Sequence, residues 1–540
     1  MTSAGATAGI TPTDRRGPRP RAVRGVFGGA PAVGVARRRP TRGICPIGPP
    51  EDRESTVALK SPAARADAVP VRSYDLISIG SGPAGEKAAL VAAQYGRRAA
   101  IVEMAPRPGG AMVNTGTVAS KVLRETALVA SALRRRPIPG FESAVPKGMS
   151  MQRFMARRTL VQMEEHDHIE ERLEGSGVEI IHGRGEIVDG NTVKVTCEDG
   201  SSHLLTTDYI LVATGSSPAR GRNVDFSHPA VVDADGILEL ETMPHSLVVV
   251  GAGVIGSEYA SIFAELGVDV TLIEPRNAIM RFLDEEVRRV LVHGMEDVGI
   301  ALRFGHAVAG VAGLPDGRAR TTLDDGTVLD SDCVLWSLGR NGNTRGLGLE
   351  RIGVTPDERG NLKVDAHYRT SCQSVFAAGD VIGFPALAST SMEQGRVAAC
   401  HMFGIPFLTK IADTVPMGIY TIPAIGAVGL TEEEARNGGR DIVVGRAYYR
   451  DNARGRMLGD DQGLLKAVFD RRTRALLGVS VVGEDATELV HFGQLAIHSG
   501  HGIQHLVEMC LNYPTLTELY KAAAFDAMAA LAAPAARNAA

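Results

Sequence analysis

At 540 residues the chain is too long for a single hydrophobic core, and at roughly 150 residues per domain it divides into three or four. With 44% hydrophobic residues, 22% charged residues and a formal net charge of −4, it lacks the positive excess that nucleic acid or an anionic membrane selects. Its longest apolar runs, ILVATG and SLVVVGAGVIG, are shorter than the roughly 20 residues that span a bilayer, so no transmembrane helix is expected.

Residues 1–70 are rich in Arg, Pro, Gly and Ala (RRGPRPRAVRG, ARRRPTRG) and show no hydrophobic period, which predicts a disordered tail. A basic interaction arm and an Arg-rich, acid-poor transit peptide are the alternatives, since the apolar stretch of a secretory signal is missing. A third alternative is that the tail reflects start-site choice, since no methionine occurs between Met1 and Met104; a non-standard start near Val69 or Val71 is then expected. The six cysteines (Cys45, Cys197, Cys333, Cys372, Cys400, Cys510) lie far apart with no C-x-x-C pair, so buried reduced thiols of a cytosolic protein are expected, and no metal site.

The first folded segment, YDLISIGSGPAGEKAALVAAQYGRRAAIVE, reads as a strand over Tyr74 to Ile79, a glycine turn, a helix and a second strand ending in an acid. Gly80 permits the tight turn, Gly82 lets the backbone approach a pyrophosphate, and Gly85 allows close helix packing. The helix N-terminus adds unpaired N–H groups and a positive dipole. Glu103, 23 residues after Gly80, is placed to accept from a ribose hydroxyl.

GGAMVNTGTVASK follows: a glycine pair, a turn, and a Ser-Lys pair opening a helix, a backbone able to lie flat against a planar cofactor. Further on, Ile210 to Gly215 is a buried strand ending in the small turn Ala213-Thr214-Gly215. SVFAAGDVIGFP puts Gly379 and Asp380 at another strand end. Beside dinucleotide folds, Asp380 is placed to accept from ribityl hydroxyls.

The glycine pattern recurs in SLVVVGAGVIGSEYASIFAELGVDVTLIE, with Gly251, Gly253, Gly256 and a terminal acid, Glu274, again 23 residues on. Two complete units imply two different dinucleotides, a resident flavin and an exchangeable nicotinamide nucleotide. A carboxylate at Glu274 suits the 2′-hydroxyl of NAD(H) and repels a 2′-phosphate. Arg276 and Arg281 either neutralise such a phosphate or are solvated loop charges.

The Gly80 turn, GG-x5-GT-x2-SK, ATG, the second GxGxxG with Glu258 behind it, and AAGD occur in the order of the pyridine nucleotide-disulfide oxidoreductase family, which the chain resembles over residues 71 to 535. The resemblance implies FAD on the first unit, NAD(P) on the second and a C-terminal dimerisation domain. The implied layout is an α/β chain with a flavin domain in two pieces (71–220 and 341–412) and a nucleotide domain (221–340), followed by an α+β dimerisation domain (413–535). Gly110, Thr117 and Lys121 then become flavin contacts.

On charge alone, Lys121 and Glu258 read as exposed helix residues, Lys121 capping its helix and Glu258 opening the next. The resemblance makes them a lysine near flavin N5 and the glutamate paired to it. It also locates what is missing, because the redox cysteines would stand at Met112 and Thr117, and the thiol base at Tyr513 in Tyr513-Pro514-Thr515, with its orienting acid kept as Glu518. Loss of all three thiol-handling groups is coordinated.

GTxxSK, SMEQGR, GIYTIP and NYPT resemble the soluble, Si-specific pyridine nucleotide transhydrogenases, from which the chain departs at Met112, Ala119 and Ala424, where relatives carry a cysteine, a proline and an acid. The expectation is a cytoplasmic homodimer or higher homo-oligomer that passes hydride between NADP(H) and NAD(H) through FAD. A diaphorase or quinone reductase, a non-catalytic flavin-binding protein and a disulfide reductase are the competing readings.

Overall fold

The computed structural model describes residues 72–136 and 150–533; the expected tail over residues 1–70 and a start near Val69 or Val71 lie outside them. The first part runs β1 (Arg72–Ile79), α1 (Pro83–Gln94), β2 (Ala99–Glu103), α2 (Gly110–Asn114), α3 (Thr117–Arg135), α4 (Met151–Gly175), β3 (Glu179–His182), β4 (Arg184–Asp189), β5 (Thr192–Thr196) and β6 (Ser202–Val212). Leu76 and Ile77 of β1 are both fully buried, as expected of a parallel strand covered on both faces. The sheet order is β3-β2-β1-β6-β5-β4, with Leu76 opposite Ala99 on one side and Tyr209 on the other. The chain leaves β1 toward β2 while β6 lies on the opposite flank, so the Gly80 turn opens at the crevice where strand order reverses.

The same logic is repeated after β7 (Ser216–Pro218). Here β8 (Val231–Asp233), β9 (Ser246–Val250), α5 (Val254–Glu265), β10 (Asp269–Glu274), α6 (Glu285–Asp297), β11 (Ala301–Phe304), a meander of β12 (Val308–Gly313), β13 (Ala319–Leu323) and β14 (Val328–Ser331), and β15 (Cys333–Trp336) follow in turn. The main sheet is parallel, ordered β11-β10-β9-β15-β8. β16 (Arg340–Gly342) pairs antiparallel with β7 as the ribbon between the two sheets. β17 (Val375–Ala377) then rejoins the first sheet beside β6, Val375 opposite Ile210. α7 (Ala388–Phe403) packs on α1 so tightly that a Cβ on Gly395 would stand 2.1 Å from the Ala84 carbonyl oxygen.

The C-terminal part comprises β18 (Met417–Ile419), β19 (Ile425–Gly429), α8 (Glu432–Asn437), β20 (Ile442–Tyr448), α9 (Ala453–Leu458), β21 (Leu464–Asp470), β22 (Leu476–Val482), α10 (Ala486–His498), α11 (Ile503–Glu508) and α12 (Glu518–Ala532). Its antiparallel sheet, β18-β19-β22-β21-β20, shares one core with α10 and α12, where Leu465 and Val479 bury Val490, Tyr520 and Ala523. The chain is thus α/β, with two dinucleotide-binding folds and an α+β C-terminal domain. Among the described residues no helix is long and apolar enough to cross a membrane.

Three local expectations need correction. α3 begins at Thr117 with Gly116 as N-cap, so Lys121 does not cap it but lies more than a turn inside. α5 begins at Val254, placing Glu258 in its second turn. Cys333 and Cys400 are buried, but Cys197 and Cys372 are half-buried and Cys510 is exposed, so burial of the thiols is not uniform.

Candidate active site

At the first glycine turn, Gly80 has φ 107°, a left-handed conformation that L side chains rarely adopt, and a Cβ there would sit 2.4 Å from the Ala213 carbonyl oxygen. The ATG strand end therefore lies directly against the turn. Gly85 is as crowded, its Cβ position 2.0 Å from the Gly80 oxygen, so the start of α1 is drawn onto the end of β1. Gly82 is the N-cap of α1 and no side chain caps that end. The first-turn N–H groups thus have no side-chain acceptor, the arrangement that binds phosphate.

Gly110 lies over this turn: a Cβ on it would come within 2.7 Å of the Gly82 α-carbon. Glu103 is buried, accepts from the Ser81 N–H at 2.9 Å through Oε2 and from the Ala105 N–H at 2.7 Å through Oε1, and ties the strand end to the turn. Ser81 Oγ also donates to Oε2, at 2.5 Å, so Oε1 is the oxygen that keeps a second lone pair for a ribose hydroxyl. Thr214 and Asn343 exchange bonds of 2.7 and 2.9 Å, which fixes the loop through Gly215. Beside it, Ser216 donates to Asp380 at 2.9 Å, and Gln394 of α7 accepts from the Gly379 N–H at 2.7 Å. Thr117 is exposed at the first turn of α3.

The second turn copies the first. Gly256 stands as close to the Gly251 oxygen, 2.0 Å from its Cβ position, and Gly253 caps α5 with nothing within 4 Å of where its Cβ would be. Glu274 accepts from the Ala252 N–H at 2.9 Å, the counterpart of the Ser81 to Glu103 bond. Arg276 donates its own N–H to Glu274 at 3.2 Å and holds its guanidinium 3.7 Å from the same carboxylate. Arg281 is exposed, and among the described residues no ion pair joins it to Glu274. Both turns, open and uncapped, fit the diphosphate of a dinucleotide.

α5 is buried on nearly all sides, including Glu258 at 3% exposure, so its carboxylate requires partners. Packing supplies them. Ala119, Leu123 and Ala127, four residues apart on α3, share a core with Tyr259, Ile262 and Phe263 of α5, which sets Lys121 opposite Glu258. Lys121 Nζ lies 2.7 Å from Oε2 and 2.9 Å from Oε1 of Glu258, and the Tyr420 N–H donates to Oε1 at 2.9 Å. Lys121 keeps 26% of its side chain exposed while its counter-ion stays inside.

Thr115, Arg220, Asp233 and Asp235 line a cleft of about 520 Å³. Burial pushes the Asp235 carboxyl up, against the pull of Arg340 and a hydrogen bond from Thr115. Tyr513 is 68% exposed on the loop before α12 and Glu518 opens that helix. Among the described residues no hydrogen bond or ion pair joins either of them to Lys121 or Glu258 within one chain. Sequence reasoning missed Ser81, Asn343, Gln394 and Tyr420, each fixing a predicted residue through a contact remote in sequence; Ser81 stood inside the first glycine turn, and Gln394 and Tyr420 inside SMEQGR and GIYTIP, already marked as motifs, while Asn343 carried no signal.

Fold and site together define a two-dinucleotide α/β oxidoreductase with a third, pairing domain. Residues 74–395 match the pyridine nucleotide-disulphide oxidoreductase family and residues 415–524 its dimerisation domain, and the chain belongs to that family. A protein of Mycobacterium bovis (strain BCG / Pasteur 1173P2) named soluble pyridine nucleotide transhydrogenase is 43% identical over 85% of this chain and 98% of its own length. One of the same name from Marinomonas sp. (strain MWYL1) is 39% identical over 84% and 98%. The solved LpdA of Mycobacterium tuberculosis superposes with a TM-score of 0.78 at 30% identity, covering 84% of this chain and 99% of that one.

Proposed function

We propose that this chain is an FAD-dependent pyridine nucleotide transhydrogenase that moves hydride reversibly from NADPH to NAD⁺. The observation that carries the reading is the Lys121–Glu258 pair, kept with a 2.7 Å contact in a chain that has Met112, Thr117 and Tyr513 where thiol chemistry would need cysteine, cysteine and histidine. With no thiol at those positions, the electron pair has no path into the protein, and a second soluble nucleotide is its outlet.

Bound FAD would supply a two-electron carrier that takes a hydride from one nicotinamide and gives it up to the next. Gly80, Gly82 and Gly85 would hold its diphosphate at the N-terminus of α1, Glu103 its ribose, and Asp380, steadied by Ser216, its ribityl chain. Ala213–Gly215, Gly110 and Thr117 would border it. Gly251, Gly253 and Gly256 would take the diphosphate of the exchangeable nucleotide. Lys121 holds positive charge where electron density arrives, and Glu258 fixes the ammonium. The two nucleotides use one site in turn, so the balanced reaction, NADPH + NAD⁺ → NADP⁺ + NADH, proceeds by ping-pong kinetics.

We infer a cytoplasmic homodimer paired through the C-terminal domain, where Leu495, Tyr513 and Phe525 are exposed. Any role of Tyr513 and Glu518 at the flavin requires a second copy of the chain. The test is an anaerobic assay with NADPH and a thio-NAD⁺ analogue. Reduction of the analogue at the rate set by flavin turnover is expected, whereas reduction of a quinone with none of the analogue would make the protein a diaphorase.

Glu274 sets the nucleotide preference in this reading. Glu274→Ala is expected to shift kcat/KM toward NADPH over NADH by about tenfold, since it removes both a ribose acceptor and a repulsion while leaving Arg276 and Arg281. An unchanged ratio in steady-state kinetics would place the ribose elsewhere.

A further inference from the structure

Lys121 and Glu258 come from the two dinucleotide folds, but a third element touches both. Tyr420, directly after β18 of the C-terminal domain, donates its N–H to Glu258 Oε1 at 2.9 Å across 162 residues of sequence, and its ring centre lies 4.9 Å from Lys121 Nζ. The Arg124 guanidinium carbon stands 6.0 Å from the same ring centre, and Arg124 Nε donates to the Thr421 carbonyl oxygen at 3.2 Å. The Ile422 N–H donates to Ser261 Oγ at 3.2 Å, which fastens the same strand end to α5. Lys121 and Arg124, three residues apart on α3, are like charges on one helix face and repel. The negative π face of Tyr420 attracts both, so it offsets that repulsion and restrains the ammonium on the side that Glu258 leaves open.

We propose that Tyr420 is a positioning residue for the Lys121 ammonium, through which the C-terminal domain sets the electron affinity of the flavin; this rests on the reading above that Lys121 faces the flavin. The backbone N–H fixes Glu258 whatever the side chain, so the proposal concerns the ring, and its hydroxyl takes no part. Removing the ring leaves the ammonium on Glu258 and on its 3.2 Å hydrogen bond to Ser120 Oγ, with its remaining face open to solvent. The bound flavin is then harder to reduce.

The test uses the holoenzyme carrying Tyr420→Phe, Tyr420→Leu, or pentafluorophenylalanine at position 420, which keeps the ring shape and reverses its quadrupole. Two quantities are read: the flavin midpoint potential by dye equilibration, which needs no nucleotide, and the anaerobic rate of flavin bleaching by NADPH. Tyr420→Phe is expected to match the parent in both. Tyr420→Leu and the fluorinated ring are expected to shift the potential negative and slow bleaching about tenfold, the size of a partly desolvated cation–π contact. In a Lys121→Met background the same changes are expected to add nothing. Parent-like potentials in both altered rings, or an undiminished effect without Lys121, would overturn the assignment. If Tyr420→Leu does not retain flavin, the fluorinated ring alone decides. A parent enzyme that fails to reduce thio-NAD⁺ counts against transhydrogenation and leaves the potentials interpretable.

Discussion

Lys121→Met is expected to slow anaerobic flavin bleaching by NADPH roughly 100-fold or more, the loss seen when one preorganised charge-stabilising group is removed from an active site. The same substitution strips the buried Glu258 of the only cation paired with it among the described residues, leaving the Tyr420 N–H and a 3.5 Å contact from Ser120. Because removal of one partner leaves an uncompensated charge, a stability loss of about 3 kcal/mol accompanies the kinetic one. The two effects separate in the double variant Lys121→Met/Glu258→Leu. Replacing both partners by apolar groups is expected to restore the melting temperature to near the parent value, while bleaching stays slow. Stopped-flow absorbance and thermal melting of the same preparations check this. Fast bleaching in the double variant would remove Lys121 from the mechanism.

The glycine turns were legible in the sequence because their function is local. Gly80, Gly85, Gly251 and Gly256 each answer to backbone atoms within five residues or at the adjoining strand end, and a spacing records that. Their acids were legible for a related reason: 23 residues is the length of one helix and one strand, which returns Glu103 and Glu274 to their own turns. Lys121 and Glu258 were found only through resemblance, since a charged residue on a helix says nothing about what faces it. The assignment of Lys121 as a helix cap failed because Gly116 and Thr117 outcompete Ser120 for the helix start, and no local rule ranks a glycine N-cap above a serine one. Asn343 was beyond reach, and Tyr420 and Gln394 stood inside marked motifs without a role, being ordinary polar and aromatic residues whose partners arrive by tertiary packing.

The same blindness hid Lys466, a lysine in the middle of an apolar strand, LLKAVFD, which is 2% exposed. Its Nζ lies 2.8 Å from Asp284, 2.8 Å from Glu286 and 2.7 Å from Glu432, and Arg446 adds a second cation 3.0 Å from Glu286. Asp284 is also the N-cap of α6, accepting from the Glu286 N–H at 3.0 Å, so this cluster bolts the second nucleotide fold to the C-terminal sheet. Lys466→Met, close in volume, is expected to lower stability by about 3–5 kcal/mol, since Arg446 and Arg436 still serve Glu286 and Glu432 while the buried Asp284 loses the one cation paired with it among the described residues.

The deficit should depend on pH, in a direction the carboxyls fix. Burial alone would raise Glu286 and Glu432, but hydrogen bonds from Lys466, with Arg446 on the first and Arg436 on the second, outweigh it and hold both below the ordinary glutamate range. A carboxyl depressed in the folded state contributes stability above its unfolded value, about 4.3, and loses that contribution as pH falls through the folded value. Without Lys466 both carboxyls lose a hydrogen bond that holds them down and move up against the remaining arginines, so protonation relieves the variant at a pH where the parent is losing its advantage. The gap in melting temperature between parent and variant is therefore expected to be widest near pH 7.5 and to narrow toward pH 4. A gap of constant size across that range would mean that Lys466 fills space there and that its charge does not hold the two domains together.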